Sequence, residues 1–211
     1  MSSGGRTIAG YQFSNQEIKD LLIAWGVLGV AFAIFFSGGA RSLSQLINPT
    51  IFVVSLFTAG VGFLLHEVAH KVVAVRFGQF AEFRADYSML FIAVMSAMIG
   101  FIFAAPGAVH HRGYLTDKEH GLIALAGPVT NIGLAIIFVP ALFGGVLLQS
   151  NLLFLLGWYG VLVNMFLAAF NMIPYGPLDG KTVMSWNKGV WAGVFLPSLL
   201  LTIGLLFGIG F

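Results

Sequence analysis

Residues 50 to 77 form an apolar run long enough to cross a bilayer, and inside it lies FLLHEVAHKVVAV, residues 63 to 75. About 20 apolar residues span the hydrocarbon core. There every backbone N–H and C=O must be satisfied within the segment, which restricts such a run to a helix. Further apolar runs follow along the chain, 58% of whose 211 residues are hydrophobic and only 9% charged. A water-soluble domain carries about a quarter charged residues. The pattern predicts an all-α polytopic membrane protein, a single membrane-embedded domain over residues 1–211 with the lipid bilayer as its surroundings. The chain has no cysteine, which excludes disulfides and thiolate metal sites. No basic face or aromatic platform suggests a nucleic-acid partner.

Five to six transmembrane helices are expected. Residues 1–13 read as a polar N-terminal tail, too polar for the core of a signal peptide. A capping box, Ser14 with Glu17, opens the first helix, which stops near Gly38-Gly39. The second runs from about Thr50 to Phe77, behind the breaker INP at 47 to 49. A polar connection, GQFAEFRADY, leads to an apolar run that stops at Pro106-Gly107. A second capping box, Thr116 with Glu119, starts a long helix, and QSN turns the chain into a span over 152–173. LDGKTVMSW reads as a short surface helix before the last span.

Lysine and arginine gather on the cytoplasmic side of membrane proteins. With six crossings the ten basic residues divide evenly. If residues 86–118, within the hairpin region 79–118, enter the membrane and leave on the same side, nine share one face and only Arg41 is opposite. The charge pattern therefore favours five crossings plus a re-entrant hairpin with a short β element. It places the N-terminus in the cytoplasm of a multi-pass cell-membrane protein, with the active site toward that side.

His66 and His70 are four apart and share a helix face. Glu67 stands beside the first. This is H-E-x-x-H, in which two imidazoles grip one zinc ion and the glutamate serves as general base toward a water of lowered pKa. A chance match would place a glutamate about 15 Å inside the end of an apolar helix, where a charge costs about 2.5–3.5 kcal/mol. Lys71 reads differently, as a lysine snorkelling to the cytoplasmic face.

A catalytic zinc takes three protein ligands. Glu17, Asp20, Glu82, Asp86, Asp117 and Glu119 lie in polar stretches. Asp179, just after a broken span, serves as either ligand or N-cap of the short helix that follows. The hairpin topology brings it to the same side as the histidines, whereas six crossings would carry it to the opposite side.

HEVAH in a spanning helix, followed by NMIPYGPLDG, resembles the site-2 protease family of intramembrane zinc metalloproteases. The family's N-x-x-P-x-x-x-L-D-G is met by Asn171, Pro174, Leu178, Asp179 and Gly180. Its G-P-x-x-N is met by Gly127, Pro128 and Asn131. The resemblance implies one zinc ion held by His66, His70 and Asp179, with Glu67 as general base. It also implies a hairpin inserted after the histidine helix. The apolar spans leave no room for the PDZ or CBS domain that many members carry, so a compact member is expected. The implied substrates are membrane-anchored proteins or leftover signal peptides. An unwound substrate strand could add to an edge of the hairpin, a reading that prolines along 80–86 would test. Asn171 is read as a substrate or oxyanion contact, Asn131 as a packing residue, and His110, His111 and His120 as interfacial loop residues. Prenyl-protein proteases also carry H-E-x-x-H but take a downstream glutamate as third ligand, and no glutamate follows Glu119. A catalytically inactive or transport-type membrane metal-binding protein of the same fold is the remaining alternative.

Overall fold

The computed structural model describes residues 5–42, 48–103 and 106–208. Among the described residues five helices are long and apolar enough to cross a membrane: Asn15–Phe36 (α1), Pro49–Arg76, Asp117–Leu147 (α5), Asn151–Asn171 (α6) and Lys188–Phe207. The second comprises α2 (Pro49–Ser55), a π-helical turn (Leu56–Gly60) and α3 (Val61–Arg76). A π turn loosens the carbonyl ladder, and the Trp25 indole N–H donates to the Leu56 carbonyl at 3.1 Å. The fifth begins as α8 (Lys188–Ile203).

The stretch between the second and third spans matches the re-entrant expectation. β3 (Phe80–Ala85) pairs antiparallel with β4 (Gly107–Arg112), joining Phe83 to Val109 and Ala85 to Gly107. Between them α4 (Tyr87–Met98) has 12 residues, a rise of about 18 Å, well short of the roughly 30 Å hydrocarbon core. Asp86 caps it, accepting from the Ser88 and Met89 amides. Gly100, with φ at 85°, turns the chain back. Residues 104 and 105 of this region lie outside the described residues.

Residues 5–13 are not a tail, and residues 1–4 of the expected one lie outside the described residues. β1 (Gly5–Ile8) and β2 (Tyr11–Ser14) form a hairpin, closed by Ala9 and Gly10, both with positive φ, as tight hairpin turns require. Phe13 is buried. The two capping boxes differ. Thr116 and Glu119 bond reciprocally. Ser14 accepts from the Glu17 amide, but the Glu17 side chain does not return to it. It accepts from Lys71 Nζ at 2.5 Å and from the Phe83 amide at 3.0 Å.

That pairing corrects the snorkelling reading of Lys71. Its side chain is 2% exposed, that of Glu17 is 1% exposed, and its ammonium lies 4.1 Å from the centre of the Phe13 ring. A lysine mid-helix with a carboxylate within reach stays inside, because the pair neutralises both charges. Asp20, one turn on, accepts from the Tyr87 hydroxyl at 2.7 Å and the Ala85 amide at 3.4 Å. Two carboxylates of α1 thus bind the outward amides of β3.

Elsewhere helix packing follows small residues. A Cβ on Gly157 of α6 would strike the backbone of Leu142 in α5, so glycine there permits near contact of the two helices.

Candidate metal centre

The site is built where α3 crosses α5. His66 and His70 stand one turn apart on α3, with ring centroids 4.6 Å apart. Facing them on α5 are Ile123, Gly127 and Asn131, at successive intervals of four and so on one stripe. The helices run antiparallel there. His70 Nδ1 lies 2.7 Å from the Ile123 carbonyl oxygen, and His66 Nδ1 lies 2.6 Å from Asn131 Oδ1. Gly127 sits between, and a Cβ on it would come under 3 Å from Nε2 of both histidines.

The third group arrives from the other end of the chain. Helix α6 ends at Asn171, and α7 (Asp179–Trp186) begins with Asp179 at its first position. The cap residue is Leu178, with no side-chain capping bond, so the Asp179 carboxylate is not spent on its own helix. Asp179 Oδ2 lies 3.2 Å from His66 Nε2 and 3.3 Å from His70 Nε2. Among the described residues this is the one cluster of three or more potential metal ligands.

The donor chemistry fits a cation. An imidazole whose Nδ1 faces a carbonyl oxygen carries its proton there and leaves a lone pair on Nε2. Two such lone pairs and a carboxylate oxygen then converge on one point. Metal–ligand bonds of about 2.0–2.1 Å in tetrahedral geometry put ligand atoms about 3.3 Å apart, the spacing found here.

Glu67 is 7% exposed and lines the same cavity of about 850 Å³ as the histidines and Asp179. The cavity extends past residues 84–89 and 106–110, the ends of the β3–β4 hairpin. Asn171 also lines it, with its amide nitrogen donating to the Leu167 carbonyl at 3.0 Å. His110, on β4, and His120, on α5, line it too, so neither lies in a loop. Asn131 packs α5 against α3 and α6 through hydrogen bonds, as an asparagine in an apolar helix is expected to, and its carbonyl oxygen faces His66 Nδ1. Asn164 went unnoticed in the sequence. It is fully buried and accepts from Asn131 Nδ2 at 2.9 Å. Its one legible signal was an amide in an apolar helix.

These features define a candidate metal centre, with the donor set of a zinc hydrolase, inside a bundle of apolar helices. The chain is 40% identical over 189 residues, 89% of its own length and 93% of the relative's, to "Putative zinc metalloprotease MJ0611" of Methanocaldococcus jannaschii. It is 29% identical over 147 residues, 61% of its length, to "Putative zinc metalloprotease YwhC" of Bacillus subtilis. It is 32% identical over 119 residues to "Putative zinc metalloprotease Rip3" of Mycobacterium tuberculosis, a match covering 56% of the chain and 26% of the relative. No family profile and no solved structure matches. The chain belongs to the family of zinc metalloproteases that these relatives represent.

Proposed function

We propose that this protein is an intramembrane zinc endopeptidase of the site-2 protease type. It would hydrolyse peptide bonds within or near the transmembrane segments of membrane-anchored proteins or residual signal peptides. The observation that carries this reading is the convergence of His66, His70 and Asp179 beside Glu67 and a cavity among spanning helices. The three would hold one zinc ion. Bound there, zinc supplies a water of lowered pKa and an electrophile for the scissile carbonyl. Glu67 takes the proton of the attacking water and delivers it to the leaving amine. Asn171, at the cavity wall, donates to the substrate backbone or the developing oxyanion. The N-terminus lies in the cytoplasm, on the side where nine of the ten basic residues gather.

Purified wild-type protein is expected to hold one zinc. Glu67→Gln is expected to keep the metal while cleavage of a transmembrane substrate falls by about 10²–10⁴-fold, the usual contribution of a positioned acid–base group. Equal cleavage by both proteins would end the reading.

A helical substrate hides its carbonyls and must unwind before attack, and a strand edge can hold it once extended. The outward amides of Phe83 and Ala85 already donate to Glu17 and Asp20, so β3 is closed to an incoming strand. Because the Phe83 amide points away from β4, Phe83 and Val109 are a non-hydrogen-bonded pair. The Val109 N–H and C=O therefore point away from β3. Edge pairing belongs to β4, so residues 107–111 rather than 80–86 are the stretch where proline should tell. Val109→Pro removes an outward N–H without touching the β3–β4 ladder. It is expected to slow cleavage by about tenfold, the worth of one well-made hydrogen bond, with zinc content unchanged. Cleavage at the wild-type rate would count against the β4 edge.

A further inference from the structure

We infer that Asn131 and Asn164 form a positioning relay that sets the tautomer and aim of His66. The inference rests on the zinc reading above and adds residues to it.

The orientation of each amide is decided by groups that can act in only one sense. The Gly160 carbonyl can only accept, so the atom of Asn164 facing it at 2.8 Å is Nδ2. Asn164 therefore turns its Oδ1 toward Asn131. The Gly62 carbonyl, 3.1 Å from the Asn131 amide nitrogen, can also only accept. Both contacts require Nδ2 of Asn131 on that side, where it donates to Gly62 and to Asn164 Oδ1 at 2.9 Å. Asn131 is then left with Oδ1 facing His66 Nδ1 at 2.6 Å. An acceptor in that place obliges the imidazole to carry its proton on Nδ1 and to leave Nε2 free for the metal.

The arrangement is closed at every point. Asn131 and Asn164 are both 0% exposed, so water cannot take over a lost partner. Gly62 belongs to the histidine helix itself, one turn before His66. Asn131 thus grips α3 at two points, the backbone and the ring. Space is kept for Asn164 by Gly62, where a Cβ would come within 2.7 Å of Asn164 Oδ1. His70 needs no such side chain, because the Ile123 carbonyl, fixed by the α5 backbone, does the same for it. The two ligands are oriented by different means, one by backbone and one by side-chain amides. Only the second can be removed by substitution.

Groups that orient a metal-bound histidine contribute about 10–100-fold in metal affinity. Asn131→Leu, close in volume but without an acceptor, is expected to lose zinc affinity by that factor in competition with a chromogenic chelator. The cobalt-loaded proteins give a spectroscopic check: the ligand-field bands should change in the Leu variant. Wild-type affinity or wild-type bands in Asn131→Leu would overturn the relay while leaving the metal site standing. A wild-type protein that holds no zinc would overturn both readings. If Asn131→Leu does not fold, Asn164→Leu provides the second arm. It leaves the Gly62 carbonyl alone to fix the Asn131 amide, and is expected to weaken zinc and alter the cobalt bands; wild-type values would overturn the part of Asn164 in the relay.

Discussion

Gly127→Ala is expected to abolish zinc retention and all proteolysis. The added methyl would sit under 3 Å from Nε2 of both His66 and His70, the two atoms that face Asp179. Either the rings rotate off their Nδ1 partners or α5 withdraws from α3 and takes Ile123 and Asn131 with it. Both movements dismantle the centre. The substitution favours the helix intrinsically by about 1 kcal/mol, so a loss of metal cannot be ascribed to a weakened α5. Gly133 and Gly144 lie on the same helix, and a Cβ on either meets nothing within 4 Å. Alanine at those positions is expected to leave zinc content and cleavage unchanged. Metal analysis of the three purified variants decides the matter, and a Gly127→Ala protein with a full complement of zinc would refute the close approach.

The second large effect is on stability. Lys71→Met is expected to cost roughly 3–5 kcal/mol, the usual result of stripping one partner from a buried ion pair. Total stabilities of about 5–15 kcal/mol make that a severe loss. The cost is the carboxylate left behind: Glu17 is 1% exposed and retains only the Phe83 amide and its neighbours. The double variant Glu17→Gln with Lys71→Met removes both charges. It should recover most of the loss, because a buried pair contributes little net stability over neutral groups of similar size. Denaturant unfolding in detergent would compare the three proteins. A Lys71→Met variant as stable as wild type would mean that the pair is not held out of water. The pair also joins β2, α1, α3 and β3 one residue beyond His70, so its loss should loosen the hairpin next to the metal centre.

Much of the site was legible in the chain. His66, Glu67 and His70 announce themselves through spacing and through the cost of placing such groups in lipid. Asp179 was legible only in combination, since a carboxylate after a broken helix also reads as a cap. The structure puts Leu178 in the capping position and directs the Asp179 carboxylate to both histidines. The reading of residues 79–118 as re-entrant came from counting basic residues, and it agrees with a 12-residue helix between paired strands. The two errors share one cause. Lys71 was expected to snorkel and residues 5–13 to trail, because each was judged against solvent or lipid rather than against a partner. Lys71 pairs with Glu17, 54 residues away, and its ammonium lies over the Phe13 ring.

The sequence by itself determined what composition and local spacing can encode: apolar spans, their caps and breaks, and the paired histidines. These depend on interactions within a turn or two of helix, or on the energy of single groups in lipid. Tertiary structure alone decided which buried polar groups meet. A buried amide, ammonium or carboxylate must find a partner, and that demand is visible in one dimension. Which partner satisfies it depends on how α1, α3, α5 and α6 cross in three.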